Sequence, residues 1–143
     1  MLQKRLLWFG LISAVFISGY WFGQTTNGRA ETANRVFEIR TYTANEGKLE
    51  ALHARFRNHT TKLFERHGMT NIGYWSPKEG PLAQNTLIYI LAYPNREAAK
   101  KSWEEFRNDP EWKKVQQESE ANGRLVSNVD SKYLEPTDYS PMK

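Results

Sequence analysis

In the stretch VFEIRTYT, residues 36–43, side chains alternate between two directions: Phe37, Ile39 and Thr41 point one way, Val36, Glu38, Arg40 and Tyr42 the other. A period of two is that of a β-strand. The period then changes. Thr43 and Glu46 are spaced as a capping box, and a helical pattern runs from there to His67, where Gly68 can adopt the left-handed conformation that ends a helix. On a helical wheel Leu49, Leu52, Phe56 and Leu63 fall within about 60° of one another, with Thr60 and His67 close by. Arg55, Asn58, Lys62 and Glu65 occupy the other side. The spacing predicts a surface helix of about six turns with one buried stripe. TNIGYW and TLIYILAY, within residues 70–93, are strands by β-branched and aromatic content. The connector between them carries Pro77, Gly80 and Pro81 and is too short for another element, so they form a hairpin with a long tip. Asn95 caps REAAKKSWEEFRN, in which Ala99, Trp103 and Phe106 share a face. Asp109 and Pro110 restart a helix that carries Trp112, Val115 and Ser119 on one side and closes at Gly123. LVSNVDSKYL is the last strand, and EPTDYSPMK, with two prolines, reads as an extended tail.

Strand, helix, strand, strand, broken helix, strand is the order of an α+β fold, a ferredoxin-like β-α-β-β-α-α-β sandwich with the first and third strands central and the helices on one face. The second face of such a sheet is bare and should be polar. Here neither face of the third strand suits water, since Ile88, Ile90 and Ala92 lie on one side and Leu87, Tyr89, Leu91 and Tyr93 on the other. The expectation that follows is a symmetric homodimer, two sheets packing through their tyrosine-bearing faces. Glu38, Arg40, Tyr42 and Tyr89 are the candidate dimer face, with Glu38 and Arg40 able to pair with each other or across the two-fold axis.

The chain carries 20 Lys plus Arg against 16 Asp plus Glu, a formal charge of +4. Lys4, Arg5 and Arg29 precede every acidic residue, and without them 17 basic residues face 16 acidic ones. The positive character therefore belongs to the N-terminus, and the near-neutral remainder argues against nucleic-acid binding. The third strand also lacks the Lys/Arg-Gly-aromatic pattern of an RNA-binding sheet. MLQKR followed by the uncharged run Leu6 to Gly23 predicts an apolar leader helix over residues 1–30, either a signal peptide cleaved after Ala30 or a membrane anchor. Both versions send the domain across the cytoplasmic membrane, to a secreted, periplasmic or anchored position, with membrane contact only through an uncleaved leader. Residues 31–35 are a linker, 36–136 the folded domain and 137–143 the tail. With no cysteine, disulfides, thiolate metal sites and a cysteine nucleophile are excluded.

FEIRTYT, GKLEAL, RHGMTNIGYWSPKEGPL, NREAAKKSW, NDPEW and LEPTDYSP together resemble the NIPSNAP family, over residues 36–141. The resemblance implies a dimeric α+β barrel. Relatives in that superfamily include cofactor-independent monooxygenases and small-molecule isomerases with a pocket between sheet and helices, whereas the NIPSNAP branch has no generally assigned reaction.

Of the three histidines, His59 lies at the edge of the apolar stripe, where it can reach such a pocket; with no orienting acid beside it, a structural hydrogen bond is the stronger reading. Tyr74, Trp75 and Trp103 are the candidate aromatic walls, against the plainer reading of aromatics at helical spacing as core. No metal is expected, because His53, His59 and His67 lack the i, i+4 spacing that puts two imidazoles on one ion, and no cofactor is implied. Lys100-Lys101 and Lys113-Lys114, interleaved with Glu97, Glu104, Glu105 and Glu118, read as solvated helix faces. The function these features suggest is an exported protein that binds a small apolar or aromatic molecule between sheet and helices. The alternative is a non-catalytic module that docks a protein partner.

Overall fold

The computed structural model describes residues 35–143. The expected leader and linker residues 31–34 lie outside them. Strand β1 (Val36–Ala44) leads into α1 (Leu49–Arg55), which continues through a π-helical segment, Phe56–Thr60, into α2 (Thr61–Arg66). A hairpin of β2 (Thr70–Trp75) and β3 (Thr86–Tyr93) follows, then α3 (Arg96–Asn108), α4 (Pro110–Ser119) and β4 (Val126–Leu134). The strands form one antiparallel sheet in the order β2-β3-β1-β4, with β1 and β3 central and all helices on one face. This is the α+β, ferredoxin-like arrangement expected from the element order.

The tyrosines face the helices. Tyr89 and Tyr93 have no exposed surface, and they pack with Leu87 and Leu91 against Leu52, Phe56, Leu63 and Phe64 of the first helix and Ala99, Trp103 and Phe106 of α3. Tyr89 sits 5.2 Å from the Phe56 ring and 6.0 Å from the Phe64 ring. Glu38, Arg40 and Tyr42 share that side: Glu38 accepts from the Trp103 indole of α3, Arg40 lies over the same indole, and Tyr42 meets Phe56 edge-on. The assignment of Glu38, Arg40, Tyr42 and Tyr89 to a bare pairing face is therefore corrected. The bare face carries Ile39, Thr41, Ile88 and Ile90, which stand in register across β1 and β3 and are partly exposed, together with Trp75, 52% exposed. Alternation groups the residues correctly, but with both groups apolar it does not say which group the helices cover. Buried tyrosine and indole groups need hydrogen-bond acceptors. Glu38, on the same side as the tyrosines, supplies one.

Four local expectations change. The capping box does not form, because β1 runs on to Ala44 and a turn through Gly47, at φ 69°, delays the helix to Leu49. Arg55 is buried, not solvated, because α4 packs over that flank of α1. The β2–β3 connector holds a 3-10 turn, Pro81–Gln84. The tail does not extend freely: Pro136, Thr137 and Met142 close over Phe37 and Ile90 at one end of the open face.

The two caps of the broken helix are as read from the sequence. Asn95 Oδ1 accepts from the Ala98 amide at 2.8 Å, and Asp109 Oδ1 from the Glu111 amide at 2.7 Å. Asp109 Oδ2 also lies 2.7 Å from His67 Nε2, which ties the end of α2 to the α3–α4 corner. The hydrogen bond from His67 holds the Asp109 carboxyl below its ordinary value of 3.8, against burial and with help from the Glu111 and Trp112 amides. Its stabilising contribution is complete above that value and is lost as the pH falls through the lowered one. Asp109→Ala removes cap and latch together, and urea denaturation should show a loss of about 1–2 kcal/mol; a change within experimental error would mean the corner holds without them.

Candidate functional site

Two hollows open on the helix side of the sheet, alongside edge strand β4. The first is a cavity of about 300 Å³ walled by Tyr42, Phe56, Phe64, Phe106 and Trp112, with Val129 at its β4 side and Arg55 and Glu120 among its polar lining. The π segment shapes it. The Arg55 carbonyl accepts from the Thr60 hydroxyl and the Phe56 carbonyl from the Thr61 hydroxyl, each at 3.2 Å and five residues on. A π turn holds one residue more than an α turn, and such turns recur at functional sites. Here Phe56 and Thr60 both line the cavity. The Arg55 guanidinium donates to Glu120 Oε1 at 3.1 Å and to Ser119 Oγ at 3.4 Å, and its Cζ lies 5.2 Å from the Trp112 ring centroid. Its Nε is buried and has no hydrogen-bond partner among the described residues.

The second hollow, about 540 Å³ and more open, has Glu38, Arg40, Ser131 and Tyr133 on the sheet side and Arg96, Lys100, Trp103 and Arg107 on α3. Glu38 lies at the centre of a network. Its Oε1 accepts from Arg40 Nη1 and Ser131 Oγ, both at 2.6 Å, and its Oε2 from Tyr93 Oη and Trp103 Nε1, both at 2.7 Å. Burial pushes the Glu38 pKa up, but hydrogen bonds from Ser131, Tyr93 and Trp103 and the charge of Arg40 outweigh it, leaving the carboxyl below its ordinary value. Arg40 separates the two hollows: its Cζ is 4.2 Å from the Trp103 centroid and 5.6 Å from that of Tyr42. The Tyr89 hydroxyl beneath them is wholly buried, and burial raises its pKa well above the ordinary value.

Of the pocket residues read from the sequence, Trp103 alone lines one of these two hollows. Tyr74 stacks on Tyr89 at 5.4 Å as part of the core flank. Trp75 lies on the open face of the sheet, its indole resting where a side chain at Gly73 would collide with it. His59 is exposed in a shallow groove between α1 and α4, beside Ala51, Ala54 and Val115. The four are not brought together. Among the described residues no group of His, Cys, Asp or Glu is placed to hold a metal ion. The hollows instead draw on Arg55, Thr60, Trp112 and Val129, and on Arg96, Lys100 and Arg107. The sequence signal for the last three is their spacing with Trp103, at i, i+4, i+7 and i+11, which puts them in one stripe of α3.

A family model described as NIPSNAP matches residues 37–141. The chain belongs to the NIPSNAP family. Solved NIPSNAP structures share its fold: a family protein of unknown function from Agrobacterium tumefaciens is 21% identical over 78% of this chain and 96% of its own, with a TM-score of 0.67. An uncharacterized NIPSNAP-like domain protein from Burkholderia xenovorans is 20% identical over 76% and 90%, with a TM-score of 0.66. SnoaB, a cofactor-independent oxygenase from Streptomyces nogalater, superposes over 76% of this chain and 99% of its own at 14% identity and a TM-score of 0.53. These likenesses establish the α+β, ferredoxin-like fold. No curated protein matches the chain.

Proposed function

We propose that this NIPSNAP protein binds a small apolar or aromatic molecule in the cavity between its sheet and its helices, and that it does so as a homodimer. The observation that carries the first half is the cavity of about 300 Å³ in which five aromatic walls face a polar side that includes Arg55, Thr60, Gln116, Glu120 and Arg124. Ligand sites are concave, combine apolar walls with polar groups that fix orientation, and have volumes that begin near this size. SnoaB, a more distant neighbour of the same fold, is described as a cofactor-independent oxygenase. The second half rests on the open face, where Ile39, Ile88 and Trp75 present an apolar surface of the kind that marks an interface.

A thermal-shift screen of small aromatic compounds, followed by the best binder on Val129→Trp, tests the cavity. Val129 is 42% exposed on an edge strand, so a larger ring there can enter the hollow without repacking the core. At a hundredfold excess over Kd a ligand stabilises the native state by about 2.7 kcal/mol, a shift of several degrees for a domain of this size. That shift should disappear in Val129→Trp while the unliganded melting temperature stays close to that of the parent. Undiminished binding would place the ligand elsewhere.

A further inference from the structure

The cleft beside the aromatic cavity holds more positive charge than the fold consumes. Arg40 is committed to Glu38. Among the described residues Arg96, Lys100 and Arg107 have no carboxylate within ion-pair distance, whereas Lys101, one residue along the same helix, reaches Glu105 at 3.7 Å. Like charges one turn apart on a helix destabilise it slightly, and Arg96 and Lys100 stand one turn apart on α3. The stripe faces the cleft, where Glu97 is the one carboxylate besides Glu38 among the described residues. Glu38 is already neutralised by Arg40 and saturated by Ser131, Tyr93 and Trp103. Arg96 lies over the Tyr133 ring, its Cζ 3.2 Å from the centroid. Stacking of that kind orients a guanidinium and leaves its N–H edge available for two-point binding of a carboxylate or phosphate.

We infer that this cleft is a binding site for an anionic group, a carboxylate or a phosphate, held by Arg96, Lys100 and Arg107 above the Trp103 and Arg40 floor. The cleft and the aromatic cavity adjoin: Arg40 and Ser131 of the cleft stand two residues from Tyr42 and Val129 of the cavity on the same strands, about 7 Å along the sheet. An aromatic acid lying over Arg40, which borders both hollows, places its ring in one and its acidic group in the other. The ligand class is therefore an aromatic molecule bearing one acidic group, its aromatic half resting on the function proposed above and its acidic half on the cleft alone.

Isothermal titration of the full chain with 2-naphthoate, with neutral 2-naphthalenemethanol and with inorganic phosphate tests both halves, on the parent and on Lys100→Gln/Arg107→Gln. Both substituted side chains are exposed, and circular dichroism will confirm that the fold is kept. Naphthoate should bind at least about tenfold more tightly than the alcohol, the gain expected of hydrogen bonds to a charged group, and the preference should shrink at high salt. The double variant should erase the preference and leave the alcohol's affinity unchanged. Equal affinities in the parent, or a preference that survives in the variant, would overturn the anion site. If neither aromatic binds but phosphate does, and the variant loses it, the anion site stands and the aromatic cavity reading falls. If phosphate and naphthoate both fail to bind, the anion site falls.

Discussion

Replacing Glu38 by glutamine is expected to cost about 3–5 kcal/mol of folding stability, the loss typical of breaking one side of a buried ion pair. The carboxylate is 1% exposed and receives four donors, two on each oxygen. A glutamine presents one oxygen and one amide group, so the amide must turn toward two of those donors. Tyr93 and Ser131 can rotate their hydroxyls to accept instead. The Trp103 indole and the Arg40 guanidinium have no acceptor to offer. Whichever way the amide points, Arg40 loses its counter-charge while most of its side chain is buried. Guanidinium chloride denaturation measures the difference, and a loss under about 1 kcal/mol would show the network to be replaceable, as a neutral pair is. The pH dependence has a definite sign. The folded carboxyl titrates below its ordinary value of 4.5, so its contribution is complete above that pH and declines as the pH falls through the lowered value. In Glu38→Gln that part of the acid limb should flatten.

Ile88→Glu should dissociate the proposed dimer and leave the subunit folded. Ile88 lies on the open face, opposite Thr41 on β1 and Trp75 on β2, away from the tail that covers Phe37 and Ile90. In a lone subunit the new carboxylate reaches water. In a face-to-face pair two carboxylates are buried near the two-fold axis, at several kcal/mol each, which corresponds to a Kd raised at least about a thousandfold. Sedimentation of the parent should give twice the chain mass and that of the variant the chain mass. A variant that stays dimeric, or a parent that is already monomeric, would remove the face-to-face assembly. Tyr89→Glu, at the position the alternation assigned to the pairing face, should behave differently: Tyr89 is 0% exposed beneath the helices, so a charge there unfolds the subunit.

That contrast locates the boundary between pattern and packing. Periods of two and of 3.6, the Asn95 and Asp109 caps and Gly68 are local features of backbone and neighbouring side chains, and they lead directly to the element order and the ferredoxin-like sheet. Which side chains share a face was also legible in them. Which face the helices cover was not, because Ile88 and Tyr89 are both apolar enough for either side. The choice was made by long-range partners: Trp103 and Ser131 lie 65 and 93 residues from Glu38. The hollows have the same origin. Arg55 looks solvated on a wheel drawn for a regular helix, and becomes a cavity residue because a π turn follows it and α4 crosses it. His59 looks like a pocket residue and is left outside. Local spacing sets direction along one element, whereas a site is made by the distance between elements, which side-chain volumes and buried polar partners settle only when the layers close.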